Sequence, residues 1–276
     1  MTIVITDKQP PYDDRVVNVH GLDIYTRRLR GSATPPLILI NGLGGSLTSW
    51  APLLDHLHDR DVLMIDTPGA GRSQTPTLPM RIATLADVIA ETSRLFSIEH
   101  ADVLGFSYGG TVAQELSRRH PDFVRRMVLV ATIHGLGAKP VPLRNQRLLL
   151  STKRYRDRET AERQMPRLAG GRTARDPDLM AALAATRENH PPSPRGYYYQ
   201  QFAAAGWSSW FWLKHLTVPT LVLHGTADPV VPMVNAKLLA WRIPGAQLKL
   251  VDGAGHLLLF DEPEKAAPVI ERFLAS

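Results

Sequence analysis

Cysteine is absent from this 276-residue chain. That excludes disulfide bridges, thiolate nucleophiles and cysteine-built metal sites, and it fits a reducing compartment, so a cytoplasmic location is expected. No apolar run approaches the roughly 18 residues of a membrane-spanning helix, so no transmembrane segment is expected either. The opening residues, MTIVITDKQPPYDD, hold no basic stretch followed by an apolar one, which argues against a secretory signal. Compact basic runs interleaved with aromatics are missing, and with them any reason to expect a nucleic-acid partner. What remains is an ordinary soluble balance of 44% hydrophobic and 21% charged residues, enough for one large α/β domain with an insertion.

The net charge of +6 is unevenly placed. From Lys139 to Arg195 there are thirteen Lys/Arg against six Asp/Glu, a balance of +7, which leaves −1 for the rest of the chain. Such a segment is a solvated helical surface on the plain reading. On the functional one it is a face drawn to an anionic surface such as phospholipid.

Short apolar runs recur, each followed by turn residues and a helical pattern. Val16–Val19 and Ile24–Arg28 flank a turn and form a hairpin. Leu37–Ile40, Val62–Ile65, Asp102–Phe106, Met127–Ile133, Pro219–His224 and Gln247–Val251 are six further strands. Helical spacing covers Arg81–Phe96, Tyr108–Arg119, Met233–Trp241 and Pro263–Leu274. The alternation predicts an α/β fold: a mostly parallel eight-stranded sheet with helices on both faces. Residues 134–215 break the rhythm and are read as a helical cap inserted between two core strands, over a core made of 1–133 and 216–276.

One stretch concentrates the chemistry. Gly105-Phe106-Ser107-Tyr108-Gly109 closes a strand and opens a helix, which is the context a G-x-S-x-G nucleophile elbow requires. Chance supplies that pentapeptide to roughly one chain in ten of this length, so partners have to decide. Acyl transfer through a serine needs a base, a group that orients the base, and oxyanion donors. Asp252-Gly253-Ala254-Gly255-His256 follows the last strand, and its glycines allow a turn that brings His256 to Ser107. Asp228 follows the preceding strand, giving the order Ser, Asp, His found in this fold. The Asn41–Ser46 loop follows the third strand, and backbone N–H groups of Leu43 and Tyr108 are the oxyanion candidates. The glycine-rich loop lacks G-K-[ST] and the G-x-G-x-x-G spacing, so it is not read as a phosphate cradle. No cofactor or metal is required by this chemistry.

Together these segments resemble the α/β-hydrolase superfamily along nearly the whole chain. Asp66-Thr67-Pro68-Gly69-Ala70-Gly71-Arg72-Ser73 is similar to that superfamily's D-x-P-G-x-G-x-S turn, whose role there is structural. Asn41-Gly42 stands where many relatives carry His-Gly. A serine at the elbow argues against haloalkane dehalogenases and epoxide hydrolases, which use aspartate there.

Gly196–Trp212 reads GYYYQQFAAAGWSSWFW and holds eight of the nineteen aromatic residues. Cap packing accounts for some of them. So dense a cluster is also expected to line an apolar cleft, with Tyr197, Tyr198, Trp207 and Trp210 as substrate-binding candidates. This stretch, PTLVLHGTADPVVP, NAKLLAWRIPGAQLKLVDGAGH, Arg154-Tyr155 and Gly170-Gly171-Arg172 resemble intracellular medium-chain polyhydroxyalkanoate depolymerases. The resemblance implies a serine hydrolase of storage polyester, with Ser107, Asp228 and His256 as the matching catalytic positions, a polymeric or small ester as substrate, and contact with a granule or lipid surface. A general short- or medium-chain carboxylesterase or lipase is the alternative. A perhydrolase and a non-catalytic ligand-binding relative are further ones.

Overall fold

A computed structural model describes residues 12–57, 59–188 and 190–276. Residues 1–11 of the opening segment read above for a secretory signal lie outside the described residues. Eight strands form one sheet in the order β1-β2-β4-β3-β5-β6-β7-β8. They are β1 (Tyr12–Val19), β2 (Leu22–Leu29), β3 (Ala33–Ile40), β4 (Arg60–Ile65), β5 (Ala101–Phe106), β6 (Val124–Val130), β7 (Thr220–Gly225) and β8 (Gln247–Val251). The hairpin strands β1 and β2 pair antiparallel, β2 joins β4 antiparallel, and every other neighbour is parallel.

Residues of β4, β5 and β7 are buried throughout. A strand covered on both faces reads as a continuous apolar run, which is why Leu37–Ile40 and Val62–Ile65 show no alternation in sequence. Alternation reappears in where the side chains go. Leu37, Leu39, Met64, Leu104, Val128 and Leu223 point to one face, and Ile38, Ile40, Leu63, Val103, Leu129 and Val222 to the other. Each such side chain contributes about 1.5–3 kcal/mol on burial.

The helices in chain order are α1 (Ala51–Leu54), α2 (Ile82–Arg94), α3 (Tyr108–Arg119), α4 (Leu143–Leu149), α5 (Arg158–Ala169), α6 (Pro177–Glu188), α7 (Pro194–Ala204), α8 (Val234–Arg242), α9 (Leu258–Asp261) and α10 (Pro263–Ala275). α2, α3 and α8 cover one face of the sheet; α1, α9 and α10 cover the other. On α2 the apolar positions Ile82, Leu85, Val88 and Ile89 are all buried, a stripe at helical spacing.

β6 ends at Val130, three residues before the strand read from the sequence, because Ala131 adopts a positive φ of 48° and turns the chain out of the sheet. The excursion from there to β7 carries α4–α7. It rests on the loops at the carboxyl ends of the strands. Gly196 meets the backbone of Gly69 so closely that a Cβ on Gly196 would lie 2.1 Å from the Gly69 oxygen. The Ala169 carbonyl accepts a 2.6 Å hydrogen bond from the His256 N–H. On the opposite edge, fully buried Asp102 takes both oxygens to Arg125 at 2.9 and 2.7 Å.

Candidate active site

Ser107 sits between β5 and α3 with φ 51° and ψ −117°, a conformation that costs an L-residue on the order of 1–3 kcal/mol. The surroundings hold it there. Its N–H donates to the Val130 carbonyl at 2.8 Å, and its own carbonyl accepts from Gly110 N–H at 2.9 Å and the Thr132 hydroxyl at 2.6 Å. The turn is so tight that a Cβ on Gly109 would lie 2.1 Å from the Ile40 oxygen, and one on Gly105 2.5 Å from the Gly109 oxygen. Only glycine at both positions lets strand and helix meet at the serine.

Two long-range bonds bring the other sequence candidates to it. His256 Nε2 lies 3.1 Å from Ser107 Oγ, and His256 Nδ1 lies 2.8 Å from Asp228 Oδ2. The other carboxylate oxygen, Oδ1, accepts the N–H groups of Val230 and Val231 at 2.7 and 2.8 Å. Asp228 is therefore fixed from one side by backbone donors and offers its second oxygen to the imidazole. The Phe106 ring packs at 5.2 Å from the His256 ring and limits its rotation. His224 is buried 3.8 Å from Asp228 Oδ2, and burial lowers its pKa below the ordinary imidazole value.

In the loop after β3, most backbone polar groups from Gly42 to Gly44 have a hydrogen-bond partner. Gly42 N–H donates to Asn41 Oδ1 at 2.7 Å, and Gly42 C=O accepts from Gly45 N–H at 3.0 Å. Leu43 C=O accepts from the Tyr155 hydroxyl at 2.7 Å, and Gly44 N–H donates to Gln200 Oε1 at 2.9 Å. Among the described residues no group accepts from Leu43 N–H, the one backbone N–H from Gly42 to Gly44 left without an acceptor. Tyr108 N–H, at the first position of α3, has no such acceptor either. Asn41 also donates through Nδ2 to Ser46 C=O and Ser49 Oγ, each at 2.7 Å, so its side chain braces the loop. Asp66 supports the same loop from below: its Oδ1 accepts Leu47 N–H at 2.7 Å and its Oδ2 accepts Arg72 N–H at 2.9 Å. Burial raises its pKa to about 6 against those donors.

Two cavities meet at Ser107. One, of about 130 Å³, runs past His256 and is walled by Met165, Leu168, Leu183, Leu257 and Phe260. The other, of about 480 Å³, runs past Tyr108 and is walled by Ile133, Leu136, Val141 and Ala204. Leu43, Ser107, Leu149 and Val230 border both.

The pattern of the α/β-hydrolase fold family matches residues 35–263, most of the chain. The chain belongs to the α/β-hydrolase family. It is similar to a poly(3-hydroxyalkanoate) depolymerase from Ectopseudomonas oleovorans, with 36% identity over 96% of this chain and 93% of the relative. A pimeloyl-[acyl-carrier protein] methyl ester esterase from Aromatoleum aromaticum is 28% identical over 86% of this chain and 97% of its own length. Among solved structures, an enol-lactonase from Burkholderia xenovorans superposes with a TM-score of 0.82 at 24% identity, covering 95% of this chain and all of that one.

The aromatic residues expected to line the hydrolase's cleft lie elsewhere. Tyr197 is fully buried and its hydroxyl donates to Leu149 C=O at 2.6 Å; Tyr198 is largely exposed and its hydroxyl donates to Leu150 C=O at 3.1 Å. Trp207 Nε1 donates to Glu115 on α3 at 2.9 Å, and the Trp210 ring packs tilted against His134 at 4.7 Å and near Trp241 at 6.1 Å. None of the four borders either cavity. The reason is topological. After α7 the chain turns back and pairs Ser208 with Gly135, at the point where the insertion leaves β6, so both tryptophans pack on the flank of α3 and α8. The cavity walls come instead from scattered residues of the β6–α4 segment and of α4–α7, joined by Leu257 and Phe260 of the core, and these form no conspicuous motif. Tyr155 and Gln200, which reach the loop backbone, also escaped a reading of the sequence. Their only signal is that both fall inside segments resembling the depolymerases.

No helix among the described residues is long and apolar enough to cross a membrane. Among the same residues no group of three or more His, Asp or Glu side chains is placed to hold a metal ion.

Proposed function

We propose that the protein is a serine carboxylic-ester hydrolase acting through an acyl-enzyme on medium-chain hydroxyalkanoate polyester or oligoesters. The observation that carries the chemistry is the line Asp228–His256–Ser107, at 2.8 and 3.1 Å, with Ser107 and Leu43 bordering the same two cavities. His256 Nε2 takes the hydroxyl proton as Ser107 Oγ bonds to the ester carbonyl carbon. The carbonyl π pair moves onto oxygen, and the N–H groups of Leu43 and Tyr108 receive the developing charge. Asp228 holds the imidazole in the tautomer with its proton on Nδ1 and stabilises the imidazolium. The C–O bond to the alcohol then breaks, and the alkoxide takes its proton from His256. Water, deprotonated by His256, adds to the acyl carbon; the bond to Ser107 Oγ then breaks, the serine oxygen takes the proton back from His256, and the acid is released.

The two cavities divide the substrate. The leaving alcohol has to reach His256 Nε2, and His256 borders only the smaller cavity. The acyl chain accordingly occupies the larger one, whose roughly 480 Å³ suits an aliphatic acid of medium length. Polyester as the substrate is supported by the 36% identity to the depolymerase and by apolar walls on both sides of the serine. The insertion acts as a cap that supplies one side of each cavity, through Met165, Leu168 and Leu183 in the smaller and Leu136, Val141 and Ala204 in the larger. Exposed Leu143 and Leu150 beside Arg144, Arg147 and Arg167 give it a basic, apolar outer surface suited to an anionic lipid or granule layer.

The test is hydrolysis of p-nitrophenyl esters from C2 to C12 and of a medium-chain polyester latex, by wild type and Ser107→Ala. Ester turnover with an optimum beyond C4, latex clearing, and loss of both in Ser107→Ala are expected. Retained activity in Ser107→Ala removes the mechanism; ester turnover without clearing leaves a general carboxylesterase.

A further inference from the structure

We infer that the insertion, through Tyr155 and Gln200, fixes the Leu43 N–H as an oxyanion donor, so that these two side chains are positioning residues for catalysis. The inference rests on the acyl-transfer reading above. Its basis is the peptide between Leu43 and Gly44, which is held at both polar ends by the insertion. Its C=O accepts the Tyr155 hydroxyl at 2.7 Å, and its N–H donates to Gln200 Oε1 at 2.9 Å. The β3 side of the loop supplies the remaining bonds, Gly42 N–H to Asn41 and Gly45 N–H to Gly42 C=O. Four bonds thus surround Leu43 N–H, two from the core and two from residues 112 and 156 positions away.

Both clamp residues are themselves directed. Arg154 is buried, and its Nη2 donates to the Tyr155 hydroxyl at 3.3 Å and the Tyr197 hydroxyl at 2.6 Å. A hydroxyl that accepts from a guanidinium keeps its own proton free to give. The Tyr155 hydroxyl gives it to Leu43 C=O, and the Tyr197 hydroxyl to Leu149 C=O at 2.6 Å. Gln200 Nε2 donates to Thr67 Oγ1 at 3.0 Å, which selects the amide orientation that turns Oε1 toward Gly44. Gly44 has a φ of +67°, and a Cβ there would lie 2.8 Å from the Tyr197 ring and 3.0 Å from the Tyr155 hydroxyl. The backbone conformation that aims the donor is therefore one the core loop holds with the insertion packed against it. An oxyanion donor acts only when aimed at the oxygen of the tetrahedral intermediate, and a misplacement of about 1 Å costs up to about 100-fold in rate.

Tyr155→Phe and Gln200→Met each keep the shape of the side chain and delete its polar end. Both are to be compared with wild type for p-nitrophenyl octanoate turnover, thermal midpoint, and inhibition by an alkylboronic acid. Boron takes an electron pair from Ser107 Oγ and becomes tetrahedral, placing a boron-bound oxygen in the oxyanion position. Octanoate serves as a ground-state product control. Each variant is expected to lose at least about tenfold in kcat with KM within about twofold of wild type. Boronate affinity is expected to fall in step with kcat/KM while octanoate affinity holds. Should Tyr155→Phe fail to fold, Gln200→Met alone decides. Unchanged kcat in the folded variants, or a loss of kcat with boronate affinity intact, overturns the clamp and leaves the serine mechanism standing. A rise in KM matched by weaker octanoate binding also overturns it, since that is a change of cavity shape. A wild type that turns over no ester and binds no boronate removes the acyl-transfer reading itself.

Discussion

Replacing Asp228 by Asn is the sharpest test of the triad, because the structure dictates how the amide must sit. In the wild type Oδ1 accepts two backbone N–H groups, from Val230 at 2.7 Å and Val231 at 2.8 Å. An amide nitrogen cannot accept, so the Asn oxygen has to take the Oδ1 position. Its NH₂ then faces His256 Nδ1, 2.8 Å from the Oδ2 position it replaces. Facing a donor, Nδ1 becomes the acceptor, and the imidazole proton moves to Nε2. That nitrogen lies 3.1 Å from Ser107 Oγ and now presents a proton where it should remove one. Loss of the correct tautomer costs on the order of 10⁴-fold in kcat. KM should hold, because Asp228 borders neither cavity. The fold should hold too, since Val230 and Val231 keep their acceptor. Asp228→Ala differs in that respect: it leaves two N–H groups unpaired, at about 1–3 kcal/mol each where they are buried. The assay is steady-state p-nitrophenyl ester hydrolysis with urea unfolding of both variants, and ¹⁵N shifts of His256 to read the tautomer. Asp228→Asn with kcat within tenfold of wild type, or with its proton still on Nδ1, would refute the reasoning.

If the larger cavity takes the acyl chain, Ala204→Phe should shorten the preferred chain. Turnover of p-nitrophenyl decanoate should fall by about 10-fold or more while the C4 ester is spared, at about 1–3 kcal/mol per displaced methylene; equal losses on both would assign the acyl chain elsewhere. Asp66 predicts a pH effect on stability. Its folded pKa of about 6 exceeds the ordinary carboxylate value of 3.8, so the folded state holds the proton more tightly. Its contribution is complete below about pH 4 and is lost as pH rises through about 6. The unfolding free energy of wild type minus that of Asp66→Asn should therefore decline by roughly 2–3 kcal/mol from pH 4 to 7, and a flat difference in urea titrations would contradict it.

The parts of the site legible in the sequence are those built by local chain geometry. Ser107 is placed by the residues on either side of it, because Gly105 and Gly109 set the turn and β5 and α3 adjoin it directly. Asp228 and His256 are each placed by a loop that follows a strand, so strand order in a parallel sheet brings them to the same edge although 149 residues separate His256 from Ser107. Spacing and residue type were enough there. The same rule failed for Tyr197, Tyr198, Trp207 and Trp210. Composition says that a ring will be buried, but which surface buries it depends on where the chain turns back, and that was decided by the Gly135–Ser208 pairing.

The clamp on Leu43 shows why the rest was hidden. A tyrosine and a glutamine in helical segments carry no local mark of catalysis, and their acceptor and donor are main-chain groups without residue identity. Nothing in residue type distinguishes Leu43 C=O from any other carbonyl. Only the account of every donor and acceptor from Gly42 to Gly44 singles out the one N–H that is free. The consequence reaches beyond this chain's own site. If the insertion both walls the substrate cavities and aims the oxyanion donor, exchanging it for that of another α/β-hydrolase changes kcat as well as specificity. A graft that lacks a hydroxyl at the Tyr155 position and an amide at the Gln200 position should bind its new substrate and turn it over slowly.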